Sequence, residues 1–566
     1  MNGIGSSGSR VLGSSGDRAA EEPRSRSFDL WLLAILAFYV AVSVAYVFLF
    51  PRVMDEFATA SSALDAVQQV PYRDYCPPKT VLGYYELAPL LLLIDDSWTA
   101  VTAVKLELVL LVAVALFITG RILRRFAGER AVLASLALLV VMSTFLERSM
   151  ELRTDMPCAL LGLASLLLLM TRRTLLAGVV CGLTFLTTQK GIYFVAAAEV
   201  ALASIWIRDR TWPAFREWLL LNAGGAATAA AYIALWSIVA SPAAIVRCFY
   251  NPVAVANAVV SIYRIRAHYW TQTLVRNPFF YALAAAALLY FILPWLQRRV
   301  EHPLSVVLPY AWVMTAAAIW HKQPWPYFFV NLVSTLFVLN TFLISELIAR
   351  ARRDMLRAFA VTAIALGIAF PLLRLRITLR RDASMQKAMV TTAQRLLGPG
   401  EKYADGMGML IHHEQPAQQF FWIDKPMIDY LWTLKRPELD WIAGQVDRGP
   451  TKLLIWNYRL EGLPIPLYEA LQQRFAPLYG NIFYYAPVVQ APRFSLGFNG
   501  TYLVDSPAPI VIDGNKVNPR AQLALRRGEH SLSGGPARLR LLPESGIEAD
   551  PRFMAPQDLF PAIYDF

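Results

Sequence analysis

A chain of 566 residues that is 56% hydrophobic and only 17% charged is poor in charge beside water-soluble proteins, which carry about 25%. Lipid must be the solvent for much of it. The formal charge of +12 would suit nucleic acid in a soluble protein, but here the arginines gather in short clusters between apolar runs, as orientation in a membrane requires, so nucleic acid is not the expected partner.

Residues 1–27 are rich in Gly, Ser and Arg and are expected to form a disordered cytoplasmic tail. The run Phe28–Phe50 is too long for a signal-peptide core, lacks a small-residue cleavage site and meets Pro51-Arg52, so it reads as an uncleaved first span. Further apolar runs lie at about 98–120, 131–147, 157–171, 174–188, 191–208, 217–240, 277–297, 304–320, 326–348 and 357–374, about eleven spans in all. The shorter run 81–94, entered through Lys79-Thr80, reads as interfacial or re-entrant. With the N-terminus inside, the loops Arg121–Arg130, Arg172-Arg173, Arg208–Arg216, Gln297–His302 and Arg350–Arg357 are cytoplasmic, short and Arg-rich, in keeping with the positive-inside rule. One cluster opposes it. Arg374, Arg376, Arg380 and Arg381 fall outside, where anionic lipid headgroups are partners for them.

An odd number of spans leaves residues from about 380 to 566 outside. Ser384–Leu397 reads as a helix, Thr451–Tyr458 as a buried strand and Pro466–Phe475 as a helix, which makes 380–490 an α/β region. Residues 491–566 read as β-rich, with an Asp513-Gly514 turn between apolar runs. The expected fold class is a polytopic α-helical membrane protein, residues 28–375, with a C-terminal extracytoplasmic α/β region plus a small β module. Four cysteines without a Cys-x-x-Cys pair indicate neither a disulfide scaffold nor a zinc site, although Cys76 and Cys248 fall on one side of the membrane and could pair.

Two adjacent carboxylates, Asp55 and Glu56, follow the first span in "RVMDEF". Behind them Phe57, Ala60, Leu64 and Val67 recur at helical spacing, which makes an amphipathic helix on the outer surface. Asp55 could cap that helix, or it could do chemistry, since acids this close to a bilayer are functional candidates by default. In "LERSMELRTDMP", Glu147, Glu151 and Asp155 recur at i, i+4 and i+8 and would share one face if helical. Asp155 precedes Pro157 at the mouth of a span, so capping is again the alternative. "YRDYCPPKTVLGYYE" sets Lys79 beside a Pro-Pro turn among tyrosines that include Tyr84. A cation there suits a phosphate, though Tyr and Lys also anchor interfaces. Outward basic and aromatic groups continue with Lys190 in "TTQKG", with Arg247, Arg264, Arg266, His268, Tyr269 and Trp270 in the long loop 241–276, and with His321 and Lys322 in "WHKQPWPYFF". Each alone reads as an interfacial belt. Together with two acidic motifs on one face, they suit a lipid-phosphate substrate: cations hold the phosphate and stabilise it as a leaving group, and a carboxylate deprotonates or orients an acceptor hydroxyl.

This layout resembles the GT-C superfamily of integral membrane glycosyltransferases, and most of all the branch holding protein O-mannosyltransferases and the lipid A aminoarabinose transferase. "MDEF" at 54–57 is similar to that branch's acidic pair after the first span, "RTDMPCALL" at 153–161 to its second acidic element, and "CPPK" at 76–79 to its basic, proline-containing stretch. The resemblance covers roughly residues 28–375. It implies transfer of a sugar from a polyprenyl-phosphate donor to a hydroxyl or phosphate of a glycolipid, polysaccharide or protein, with inversion, on the outer face of the cell (inner) membrane. It implies that Asp55, with Glu56 beside it, is the base or acceptor-orienting acid and that Asp155 helps bind sugar or acceptor. Lys79, Arg264, His268 and Lys322 would bind phosphate, and Tyr84, Glu151, Lys190 and His321 would complete the substrate site. No cofactor is implied, although Asp55 and Glu56 could in principle hold a divalent metal. The absence of a tandem-domain insert of the protein O-mannosyltransferase type weighs against a protein acceptor. A transporter would instead predict charges buried mid-span, broken helices and repeated halves; Lys105 and Glu107 are the main charges within spans, and no repeat is visible. A scaffold or sensor displaying residues 380–566 would need neither Asp55 nor Lys79.

Overall fold

The computed structural model describes residues 26–77, 79–259, 266–321, 324–350, 354–415, 451–463, 465–490, 492–544 and a few positions beyond, as far as Phe560. Arg264, Lys322 and most of the expected N-terminal tail lie outside the described residues.

Every apolar run becomes helical. In chain order the helices are α1 (Arg26–Leu49), α2 (Met54–Gln68), α3 (Leu82–Leu93), α4 (Ser97–Leu123), α5 (Glu129–Val141), α6 (Ser143–Arg148), α7 (Asp155–Met170), α8 (Thr174–Thr187) and α9 (Ile192–Asp209). They continue with α10 (Trp212–Trp236), α11 (Pro242–Val259), α12 (Arg266–Arg276), α13 (Pro278–Tyr290), α14 (Ile292–Leu296), α15 (Leu304–Trp320), α16 (Phe329–Arg350) and α17 (Asp354–Thr378). Among the described residues, six segments are long and apolar enough to cross a membrane: Arg26–Leu49, Ser97–Leu123, Gln189–Asp209, Trp212–Trp236, Pro278–Leu296 and Pro326–Arg350. Shorter apolar helices, α7, α8, α15 and most of α17 among them, pack with these. The protein is therefore a multi-pass membrane protein. α16 is the central pillar, buried from Phe329 through Ile344, whereas α1 turns Leu30, Trp31, Leu33 and Phe48 outward to lipid. α8 and α10 pack closely through Gly178 and Gly224, where a methyl group on either would collide with the other helix's backbone.

Two segments differ from the sequence reading. The stretch 241–276 is not a long loop but carries α11 and α12. α12 buries Tyr269 and Thr273 and leaves His268 exposed, so it is amphipathic and lies against the bundle without spanning it. The run 131–147 breaks at Met142, whose extended backbone separates α5 from α6.

Beyond α17, α18 (Ser384–Arg395) leads into a four-stranded sheet of order β1-β2-β4-β3, built from β1 (Lys402–Ala404), β2 (Thr451–Ile455), β3 (Phe475–Tyr479) and β4 (Ile482–Tyr485). β1 and β2 are parallel, and α19 (Ile465–Arg474) lies between β2 and β3 in the chain. β5 (Val488–Val489), β6 (Arg493–Leu496), β7 (Gly500–Asp505), β8 (Ile510–Ile512), β9 (Asn515–Val517), β10 (Gln522–Leu525), β11 (Gly528–Ser533) and β12 (Ala537–Leu541) form two further sheets, β10-β7-β12-β5 and β6-β11-β8-β9. Tyr502, Val504 and Leu539 of one and Phe494, Ile512 and Leu532 of the other share one core. The β8–β9 hairpin turns through Asp513 and Gly514, both at positive φ (50° and 80°), as a tight two-residue turn demands.

The C-terminal part is bolted to the start of the membrane part by side chains of α18. Gln386 Oε1 accepts from the Arg52 N–H (2.7 Å) and its Nε2 donates to the Arg52 carbonyl (2.9 Å). Gln394 bridges Ser97 N (3.0 Å) and the Asp95 carbonyl (2.9 Å) in the same way. A disulfide joins Cys76 to Cys248 with a Cα–Cα distance of 5.3 Å, tying the Pro-Pro stretch before Lys79 to α11. It closes a loop of 172 residues, so replacing both cysteines by serine should lower stability by about 2–4 kcal/mol. Thermal unfolding in detergent under non-reducing conditions measures this, and an unchanged midpoint would contradict it.

Candidate active site

The site is built from the start of α2. Val53 is its N-cap, and the third helical residue, Glu56, reaches back so that its Oε2 accepts the Val53 N–H (3.1 Å). Its Oε1 accepts the Leu152 N–H (3.0 Å) and pairs with Lys105 Nζ of α4 (2.6 Å). Glu56 is 1% exposed and turned into the bundle. Capping therefore falls to Glu56, not to Asp55. One residue earlier on the helix, Asp55 points away into a cleft and is only half-buried. There its two oxygens meet two guanidinium groups, Arg153 Nη1 at 2.7 Å and Arg459 Nη2 at 2.7 Å.

The second acidic motif does not form one helix face. α6 ends at Arg148, residues 149–154 turn, and α7 starts at Asp155; Pro157, which lacks an N–H, is tolerated in that first turn. The three acids consequently diverge. Glu147 faces Arg276 at 3.8 Å and Glu151 is held by Arg148, so neither points into the cleft with Asp55. Asp155 does. It accepts from Lys190 Nζ (2.7 Å) and Arg153 Nε (3.3 Å). Lys79 Nζ donates to Thr154 Oγ1 at 3.5 Å, within the electrostatic field of both aspartates. One ring floors the group: Arg153 lies 3.5 Å over the centroid of Tyr327, and Lys190 Nζ 4.2 Å. Beside it Tyr193 Oη bonds His321 Nδ1 (2.7 Å), and His321 stacks on Phe328 at 4.4 Å. Tyr84 is buried in α3 within the field of Arg153 and Asp155. His268 stands apart, exposed on α12 and bonded to Gln272.

Three participants have no forewarning in the sequence reading. Arg153 stands inside "RTDMPCALL", but only the fold shows that it binds both aspartates. Tyr327 belongs to "WHKQPWPYFF" but is indistinguishable there from its aromatic neighbours. Arg459, 404 residues from Asp55, follows directly on β2 and carries no local signal at all.

Burial would push the Asp55 carboxyl up, but Arg153 and Arg459 outweigh it and hold it below the usual carboxylate range. Asp155 is likewise pushed up by burial and drawn down further by Lys190, Lys79 and Arg153, ending well below that range. Both are ionised at neutral pH. Lys79 goes the other way. Burial, with Arg153 and Lys190 close by, lowers it to about 7 against the pull of Asp155 and Asp55. Four basic side chains thus converge on two carboxylates, a cleft with surplus positive potential. A divalent metal does not fit the Asp55-Glu56 pair, because the two side chains point apart and both are already engaged by cations. Among the described residues no group of three or more His, Cys, Asp or Glu is arranged to hold one.

Fold and site together define a multi-pass membrane protein with a cation-rich cleft between its juxtamembrane segments and a C-terminal module. No protein-family model matches this chain, and no curated protein does. Among solved structures it is similar to the crystal structure of ArnT from Cupriavidus metallidurans bound to undecaprenyl phosphate, with a TM-score of 0.48 and 14% identity over 79% of this chain and 95% of that one.

Proposed function

We propose that this protein is a GT-C-type glycosyltransferase that moves a sugar from a polyprenyl-phosphate donor to a hydroxyl or phosphate of an acceptor on the outer face of the cell membrane. The observation that carries this reading is the convergence of Arg153, Arg459, Lys79 and Lys190 on Asp55 and Asp155. Excess cations held in a partly dry cleft suit a phosphate that gains charge as it leaves. The outer orientation is supported by the Arg-rich short loops on the opposite side and by the Cys76–Cys248 disulfide, which belongs in an oxidising compartment. Lys105, a charge within a span that a transporter could use, is engaged with Glu56.

In this mechanism the donor phosphate competes with Asp55 for Arg153 and Arg459. As the guanidinium groups turn to the phosphate, the Asp55 carboxylate is released from its depressed state and becomes able to take the acceptor's proton. The acceptor oxygen then forms its bond to the anomeric carbon while the carbon–oxygen bond to phosphate breaks, and the phosphate leaves as an anion held by Lys79 and the arginines. Inversion follows from the single displacement. Asp155, pinned by Lys190 and Arg153, positions sugar or acceptor. The test is incubation of the purified protein in nanodiscs with a polyprenyl-phosphate sugar and acceptors of the hydroxyl and phosphate classes. Polyprenyl phosphate should be released together with an inverted glycoside. Flux of substrate into sealed vesicles without covalent product would replace this reading with transport.

Lys79 makes the donor step pH-dependent. In the empty cleft it is protonated below about pH 7 and neutral above; a bound phosphate favours the charged form, so binding takes up a proton above pH 7. Affinity for polyprenyl phosphate should fall from pH 7 to 9 by up to about tenfold per unit. Lys79→Met should bind more weakly and lose most of that slope. A wild-type slope of zero would exclude Lys79 from the phosphate site.

A further inference from the structure

Two of the arginines that oppose the positive-inside rule, Arg374 and Arg381, lie near the end of α1. α17 ends beside the end of α1, and Arg374 lines a cleft there with Tyr46, Ser143, Leu146, Glu147 and Pro371. Arg381 lies 5.1 Å over the ring of Phe50, which itself stacks on Tyr46 at 5.7 Å. Arg276, from the end of α12, is buried and faces Glu147 at 3.8 Å. Arg148 stands within the same field and holds Glu151. Burial pushes Arg276 down to about 10, with Arg374, Arg148 and Arg381 adding to the effect and only Glu147 opposing it. Among the described residues, Arg374 and Glu147 share this cleft, Arg276 faces Glu147, and Arg381 and Arg148 lie within electrostatic reach of Arg276. The walls continue as apolar surface: Leu372 and Leu373 on α17 and Phe48 and Leu49 on α1 are exposed. The notch lies at the end of α1 that leads into Asp55.

We propose that the mouth of this notch, whose interior of about 10 Å³ has room only for water, is a second anion site, separate from the Asp55 cleft, at which Arg374 and Arg381, with Arg276 and Arg148 behind them, hold the phosphate headgroup of a membrane lipid. Guanidinium forks match phosphate oxygens in pairs, and the neighbouring apolar walls take the acyl chains. The anion relieves the crowding of cations, which explains why a basic cluster is retained on the side of the membrane that such clusters avoid. The site requires nothing of sugar transfer and stands or falls independently of it.

The full-length protein is reconstituted in phosphatidylcholine nanodiscs with and without phosphatidylglycerol, and the lipid retained on gentle release is counted by native mass spectrometry. Phosphatidylglycerol should be retained over phosphatidylcholine. Arg374→Gln and Arg381→Gln should each lower retention about fivefold, and together roughly twenty-five-fold, as surface arginines beside an anionic headgroup do. Arg380→Gln, an exposed neighbour outside the cluster, serves as the control for loss of charge alone, and it should retain lipid like wild type. Lys79→Met, which weakens phosphate binding in the Asp55 cleft, should also keep the lipid; its loss there would place the lipid in that cleft and overturn the proposal. Undiminished retention in the double variant would overturn it as well. Complete displacement by millimolar inorganic phosphate would mean that the notch takes a soluble anion, which overturns the assignment to a lipid.

Discussion

Asp55→Asn should lower the proposed sugar transfer by about 10²–10⁴-fold without weakening donor binding. Asparagine keeps the shape and can still accept from one guanidinium group, but it neither takes a proton nor neutralises Arg153 and Arg459. If the donor phosphate competes with Asp55 for those arginines, removing the carboxylate charge leaves them more available. KM for the donor should hold or fall while kcat drops. That split separates catalysis from a structural role, since a merely misfolded cleft would raise KM and lower the unfolding temperature together. Full-rate transfer by this variant would remove Asp55 from the mechanism as either base or orienting acid. A secondary effect is also expected. Arg459 loses a 2.7 Å partner that links the C-terminal part to α2, so limited proteolysis should cut that part faster in the variant.

Glu56→Gln, one residue along, should fail in a different way. Glu56 holds Lys105 at 2.6 Å, caps α2 through Val53 and pins the turn at Leu152, all in a buried setting. The amide keeps part of the hydrogen bonding but leaves the Lys105 ammonium without its countercharge inside a spanning helix. Removing one partner of a buried pair typically destabilises by about 3–5 kcal/mol, whereas replacing both by apolar groups is often neutral. The expected result is a strong loss of thermal stability in detergent for Glu56→Gln, most of it recovered when Lys105→Met is added. If Glu56→Gln melts like wild type and loses only turnover, Glu56 belongs to the chemistry and the structural assignment is wrong. Two adjacent acids in one motif would thus give two unlike phenotypes, one kinetic and one of folding.

Much of the fold is legible residue by residue. The apolar runs, the breaks between them and the helix behind Phe57 follow from hydropathy and periodicity, which are sums over near neighbours along the chain. Asp513-Gly514 is a turn in the structure because its backbone demand is equally local. The helices of 241–276 escape such a reading, since the polar face of an amphipathic surface helix looks like a loop until something is seen to cover the other face. Likewise Glu147, Glu151 and Asp155 have helical spacing, yet the turn at 149–154 sends each to a different partner.

Of the candidate site, the sequence by itself marked Asp55, Lys79, Asp155 and Lys190 among its candidates, and the fold brings these four together, whereas Glu151 and His268, marked with them, go elsewhere. Which of Asp55 and Glu56 faces the cleft was decided only by tertiary structure, because each carboxylate's environment depends on cations delivered from elsewhere. Arg153 arrives from 98 residues away and Arg459 from 404. The same holds for Arg374 and Arg381, whose meaning changes once Arg276 and Glu147 stand beside them. Burial in lipid is a property of a segment and can be read from it, whereas an ion pair is a property of two positions, and only the folded chain says which two.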